Sequence, residues 1–184
     1  MRILRQISWS MVLLCMAIMT SCNRYIDGTH GGNSIEQGAV KFYTDSNVFT
    51  YKTNIIVTRD TEKIYPKFFE VALPKKMKYY EFISSTDFAF YYDKGQTIFI
   101  KIALEPETMA EDTTYNPSPE NLEEFVQTAL KTNGGTYDIK RIPVHKNRKN
   151  AIIKKGVATM LLYNVLNDNY EQFFDKVSRF RFIN

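Results

Sequence analysis

Cysteine and histidine are scarce: two of each in 184 residues. Two Cys exclude a disulfide-dense scaffold and a four-thiolate zinc site. Two His leave little room for a histidine-rich metal centre or acid–base centre. No G-x-S-x-G turn presents a serine nucleophile, and neither a P-loop nor a dinucleotide-binding glycine pattern occurs. Glycine is sparse too, eight in all, and tryptophan occurs once, at Trp9. What is plentiful is aromatic: 12 Tyr and 13 Phe. A hydrophobic fraction of 44% excludes a disordered chain, and the length suits one domain. The formal net charge is +4.

The N-terminus reads as an address. Arg2 and Arg5 form a basic n-region, and Met11–Met19 (MVLLCMAIM) is an apolar run of nine residues. A spanning helix needs about 20 apolar residues, whereas a short run behind a basic start fits the core of a secretory signal. Met19-Thr20-Ser21-Cys22 follows directly. These features together resemble a bacterial lipoprotein signal of the kind found in Bacteroidota. In that family a large apolar residue and two small residues precede a Cys that becomes lipidated as the signal is removed. Met19 departs from the commonest Leu. The resemblance implies a signal over 1–21, diacylglyceryl attachment at Cys22, and a membrane-attached protein that does not span. Two or three long acyl chains anchor effectively permanently, since each buried CH₂ contributes about 0.8 kcal/mol. An ordinary cleaved signal with an incidental Cys is the plainer alternative. Asn23 follows Cys22, where an Asp would favour inner-membrane retention in such lipoproteins, and no acidic cluster of the surface-display type follows. The implied location is the outer membrane, on the periplasmic face.

Residues 22–38 are the lipidated Cys and a tether, holding Gly28, Gly31, Gly32 and Gly38 without apolar periodicity. His30 reads as a solvated linker residue. A single domain over 39–184 follows. Ala39–Thr44 and Val48–Arg59 favour strands, with a turn at Asp45-Ser46-Asn47. Phe68–Leu73 and Lys78–Ile83 continue the pattern. Phe88, Phe90 and Tyr92 alternate before Asp93-Lys94-Gly95, and Ile98, Ile100 and Ile102 alternate after it. A three-residue loop pairs Phe88 with Ile100 and Phe90 with Ile98, with Gly95 left-handed; a two-residue loop loses that match. Residues 105–118 read as an acidic loop. Ser118-Pro119-Glu120 reads as N-cap, N1 and first-turn acid of a helix over 119–132, stopped by Asn133-Gly134-Gly135. Tyr137–Val144 and Ala151–Ile153 read as strands. Val157–Leu166 reads as strand or helix. Asp168 reads as the N-cap of a last helix with Glu171 as its capping-box partner, and Tyr170, Phe173, Phe174 and Val177 form its apolar stripe. The expected class is α+β: mainly antiparallel sheet with two helices packed on it.

The order of elements resembles the PsbP-like α/β sandwich family. The matching pieces are Phe69-Glu70-Val71-Ala72-Leu73-Pro74, the hairpin around Gly95, the 119–132 helix and the Tyr170-Glu171-x-Phe173-Phe174 stretch before Phe180-Arg181-Phe182. The likeness covers 68–183 and implies an accessory or binding role, with no one activity.

Candidate chemistry is thin. His145 lies in a basic strand end, where exposure explains it better than catalysis. Glu105, Glu107, Glu111 and Asp112 lack the spacing of a calcium loop. Charge is segregated: seven acids and no base lie between Lys101 and Lys131. Seven bases and no acid make up Lys140, Arg141, Lys146, Arg148, Lys149, Lys154 and Lys155. That basic run is the candidate interaction surface, toward anionic headgroups, glycans or an acidic partner face; a solvated hairpin is the plainer reading. The adjacent pairs Tyr79-Tyr80 and Tyr91-Tyr92 each put one ring on either face of a strand. The expected protein is a non-catalytic envelope lipoprotein without cofactor or metal. Its expected partners are the membrane, through Cys22, and an envelope protein, not nucleic acid. A carrier or sensor of an apolar or glycan ligand is the alternative.

Overall fold

The computed structural model describes residues 25–26, 35–37, 39–52, 57–59, 62–64, 68–84, 86–103, 111–123, 125 and 146–183. The class is α+β and the pairing is antiparallel throughout. Thirteen strands are described: β1 (Ile35–Gln37), β2 (Val40–Tyr43), β3 (Val48–Tyr51), β4 (Val57–Arg59), β5 (Glu62–Ile64), β6 (Phe69–Ala72), β7 (Tyr79–Phe82), β8 (Asp87–Tyr91), β9 (Thr97–Ile102), β10 (Thr113–Tyr115), β11 (Arg148–Lys155), β12 (Ala158–Leu166) and β13 (Arg181–Phe182). Helix α1 is described at 119–123 and 125, and α2 spans Asn167–Val177. There are two principal sheets where one was expected: a five-stranded sheet, β1-β2-β3-β6-β13, and a six-stranded one, β10-β11-β12-β9-β8-β7. β4 and β5 form a separate hairpin.

The period-2 pattern decides the packing. In β2, β3 and β6 the residues Val40, Phe42, Phe49, Tyr51, Phe69 and Val71 are buried, while Lys41, Tyr43, Thr50 and Glu70 alternate outward. Their inner face meets Phe88, Phe90, Ile98, Ile100, Met160 and Leu162 of the larger sheet. Phe49 sits at the centre, with ring centroids of Phe69, Tyr80, Phe82, Phe88 and Phe90 at 4.8–6.2 Å. Most of the aromatic excess is thus packing. The C-terminal helix joins this layer through Phe173 and Val177. The opposite face of the larger sheet carries a second cluster, Ala89, Phe99, Ile152 and Leu161, under Leu122 and Phe125 of α1. The two helices therefore lie on opposite faces of the six-stranded sheet.

The hairpin register is the expected one, Phe88↔Ile100 and Phe90↔Ile98. Gly95 is left-handed (φ +69°), and so is Lys94 (φ 58°). Ser118 caps α1 as expected: its Oγ accepts from Asn121 N–H at 3.3 Å, and Asn121 Oδ1 accepts from Ser118 N–H at 3.2 Å. This is a capping box with Asn in the third position.

Other expectations are corrected. Val48–Arg59 is not one strand, since β3 ends at Tyr51 and Val57–Arg59 pairs with β5 instead. Thr113–Tyr115, inside the acidic loop, forms an edge strand on β11 because its Thr-Thr-Tyr run favours extended backbone. Val157–Leu166 resolves as strand. Strand pairing begins at Ile35, ahead of Ala39, with Ile35 opposite Phe42. Asp168 does not cap α2. The helix begins two residues earlier, straight from β12, with Leu166 in the cap position and no side-chain cap of its own. The helix start is served from outside: Asn147 C=O accepts from Asn167 N–H at 3.1 Å, and Gln96 Oε1 accepts from Leu166 N–H at 3.1 Å. Asp168 instead places its acid in the first turn, where the helix dipole favours it. The stop at 133–135, the strand at 137–144, the signal, Cys22 and both His lie outside the described residues.

Candidate functional surfaces

The basic run does not form one patch. Arg148 and Lys155 stand at opposite ends of β11, about 24 Å apart at strand rise. At one end Arg148 donates to Asn164 C=O at 2.8 Å, and the Lys149 ammonium lies 4.6 Å from the Tyr170 ring centre. At the other, Lys154 lies 5.9 Å from the Tyr115 ring, and Lys155 pairs with Ala158. Lys146 is exposed beside Asn147. Lys140 and Arg141 lie outside the described residues. The run is thus divided between two ends of the sandwich.

The end carrying Lys146 and Arg148 is a polar junction that sequence reasoning missed. Gln96 is 4% exposed and holds three elements at once. Its Nε2 donates to Asp93 C=O at 3.0 Å, and its Oε1 accepts from Leu166 N–H and, at 2.9 Å, from Asn169 Nδ2. Asn164 Nδ2 donates to Gly95 C=O at 3.1 Å. Pro74 C=O accepts from the Tyr92 hydroxyl at 3.2 Å and from Asn47 Nδ2 at 2.8 Å. Lys78 and Asp93 pair at 2.8 Å. Two residues from the stretch read as a tether dock here. The Tyr25 hydroxyl bonds the Asp93 carboxylate, Ile26 N–H donates to Met77 C=O at 2.8 Å, and the Ile26 side chain packs on the core. Nothing in the composition of 23–38 separates Tyr25-Ile26 from linker, except that they are adjacent aromatic and β-branched residues.

The outer face of the five-stranded sheet forms a broad groove of ≈ 730 Å³, lined in part by Lys41, Tyr43, Thr50, Lys52, Glu70 and Ile183. The Lys41 ammonium lies 5.1 Å from the Tyr43 ring centre. On the outer face of the larger sheet, Tyr79 is 52% exposed and stacks on Tyr91 at 4.4 Å. The Tyr91 hydroxyl donates to Glu81 at 3.1 Å. Burial, then the Glu81 charge and hydrogen bond, push the Tyr91 phenol well above its ordinary value. The partner rings, Tyr80 and Tyr92, face inward as the alternation requires. Beside Phe99 and Phe125 the space left is only ≈ 10 Å³, far below the few hundred Å³ of a small-molecule pocket.

Glu111 and Asp112 are exposed; Glu105 and Glu107 lie outside the described residues. Among the described residues no three His, Cys, Asp or Glu side chains gather as a metal site, and no helix is long and apolar enough to cross a membrane. No protein-family model, no curated protein and no solved structure matches the chain.

Proposed function

We propose that the chain is a lipid-anchored envelope protein whose α+β domain binds a protein partner without catalysing a reaction. The observation that carries the reading is Met19-Thr20-Ser21-Cys22 directly after a basic start and a nine-residue apolar run. On this reading residues 1–21 are lost and Cys22 holds the chain in the outer membrane, facing the periplasm. The mature chain then has no free thiol and no tryptophan. Loss of Arg2 and Arg5 from the 24 bases leaves 22 against 20 acids. The partner-binding part is supported by the groove on the five-stranded sheet, where Lys41 and Tyr43 offer cationic and aromatic contacts beside the Glu70–Arg181 ion pair. Of these, Tyr43, partly exposed on the groove, is the type enriched in recognition surfaces.

The test is Cys22→Ala in the native host. The wild-type chain should fractionate with the outer membrane and take up labelled palmitate, and the variant should do neither. Unchanged fractionation of the variant would refute the anchor. Crosslinking through the groove, with Tyr43→Ala and Glu70→Ala as controls, should capture one envelope protein that the controls lose. A second reading, glycan recognition, is favoured by the exposed Tyr79 ring stacked on Tyr91. In that case Tyr79→Ala, not Tyr43→Ala, removes binding.

A further inference from the structure

We propose that the end of the sandwich bearing Lys75, Lys94, Lys146 and Arg148 is the face that lies against the membrane and takes anionic lipid headgroups. The proposal rests on the reading that Cys22 is acylated. Its own ground is where the chain arrives. Tyr25 is three residues beyond Cys22 and is bonded to Asp93, and Ile26 is bonded to Met77 and packed on the core. Three residues span at most about 11 Å. An acylated Cys22 therefore holds this end of the domain within about 11 Å of the bilayer surface, not at the far end of a sixteen-residue coil.

The residues that meet at this end are largely cationic. Lys75 and Lys76 are exposed and immediately precede Met77, which receives Ile26. Lys94 is exposed in the turn that begins at Asp93, which receives Tyr25. Gly95 in that turn accepts from Asn164, whose carbonyl accepts from Arg148, and Lys146 is exposed two residues before. The acids at the same end are Asp45, in the turn beside Leu73, Asp168, in the first turn of α2, and Glu171, beside Tyr170; Asp93 is already matched by Lys78. Cations outnumber those acids.

The distance scale makes the arrangement matter. Potential from an anionic bilayer fades over about 8 Å at physiological ionic strength. Lys94 adjoins Asp93, which holds Tyr25, and Lys75 and Lys146 stand on the neighbouring turns, whereas Lys154 and Lys155 lie about 20–24 Å further along β11. Each lysine near such a surface strengthens attachment about fivefold. The groove on the five-stranded sheet runs along the side of the sandwich, with its Ser46 margin at this end and Lys52 and Ile183 away from it, so this orientation leaves all but that margin open to a partner.

The test uses the full chain expressed in the native host, purified in detergent from its membranes as the host processes it, and reconstituted in vesicles of phosphatidylcholine, with or without phosphatidylglycerol. A fluorophore is placed either on Ser46→Cys, in the turn at the proposed membrane end, or on Thr113→Cys, exposed and paired with Lys154 at the far end. Quenching by headgroup-labelled lipid should be several-fold greater at position 46 than at 113. It should rise further at 46 when phosphatidylglycerol is present. Lys75→Gln/Lys94→Gln/Lys146→Gln should abolish that rise while flotation with vesicles persists. Protein that floats but is quenched equally at both positions, or more at 113, overturns the orientation alone. An unchanged response in the triple variant overturns the headgroup contact. Protein that fails to float overturns the acylation reading and this proposal with it.

Discussion

Gln96 is the residue whose removal the structure makes most informative. It is buried, and its two side-chain ends join the β8–β9 turn to the first residues of α2. Gln96→Ala leaves Leu166 N–H without its acceptor at the entrance to the helix. Leu166 is half-buried, so its unmatched donor costs about 1–2 kcal/mol, between the net of about 1 for an ordinary hydrogen bond and the larger penalty of a fully buried group. Asn169 Nδ2 is half-buried and can turn toward water, and Asp93 C=O still accepts from Gln96 N–H at 3.4 Å. The main loss is therefore the Leu166 donor plus the small void, about 2–4 kcal/mol together. For a chain of this size that corresponds to a fall in Tm of about 5–15 °C. Gln96→Met separates shape from hydrogen bonding: it fills the space but accepts poorly, so it should cost nearly as much as Ala. Gln96→Glu keeps both acceptor bonds beside a helix N-terminus and should cost less than either. Urea unfolding at pH 7, with m held constant across the series, measures all three. A neutral Gln96→Met, or Gln96→Glu worse than Gln96→Ala, would refute the reasoning.

Phe49→Ala removes the ring that touches five others and should cost about 3–5 kcal/mol; thermal unfolding reads the loss. Ser118→Ala should cost about 1 kcal/mol and Ser118→Asp little, because the side chain caps α1; hydrogen exchange at Asn121 N–H should rise only in the Ala variant. Alkaline stability provides a sign test. The folded Tyr91 phenol titrates above its unfolded value, so above pH 10 the unfolded chain binds fewer protons than the folded one. Stability is then fully present below pH 10 and falls as pH rises beyond it. Tyr91→Phe should flatten that fall without erasing it, since Tyr80 and Tyr170 are shifted the same way by burial. Guanidinium melts from pH 8 to 11 compare the slopes.

The parts of the fold that were legible are those in which one face of an element carries the whole signal. The aromatic row of β8 opposite the isoleucine row of β9 determines that hairpin's register without help from the rest of the chain. β12 shows why a neighbouring segment was ambiguous. Ala158, Met160, Leu162 and Val165 all face the core, a spacing of two, two and three. The break comes from a bulge in which Tyr163 and Asn164 together face Asn150. Asn164 is left-handed (φ 56°) and its N–H donates to Asn150 Oδ1 at 2.6 Å. Leu161 meanwhile packs under α1 on the other side. Burial on both faces plus one phase slip reads along the chain as a helix. The start of α2 fails differently. A local cap motif, Asp168 with Glu171, competes with acceptors contributed by Gln96 and Asn147, which lie 70 and 20 positions from the residues they serve. No window along the sequence contains that competition.

The interaction surface was half legible for a related reason. Charge runs are one-dimensional, and β11 spreads its bases along a strand, so consecutive lysines end far apart. Meanwhile Lys75, Lys94 and Lys146, scattered in sequence, stand on turns at the same end of the sandwich, which Pro74, Gln96 and Asn164 tie together. The tether misleads in the same way. Its glycines and polar residues describe a coil, yet Tyr25-Ile26 dock through the Tyr25 hydroxyl on Asp93, the Ile26 N–H on Met77 C=O and the Ile26 side chain on the core. On the proposed acylation of Cys22, docking of Tyr25 would put three residues, not sixteen, between the anchor and the domain. A long coil would leave every face of the domain equally able to meet the bilayer. A three-residue link would not, and on that proposal the basic residues to test are those beside Tyr25-Ile26, whatever their positions in the sequence.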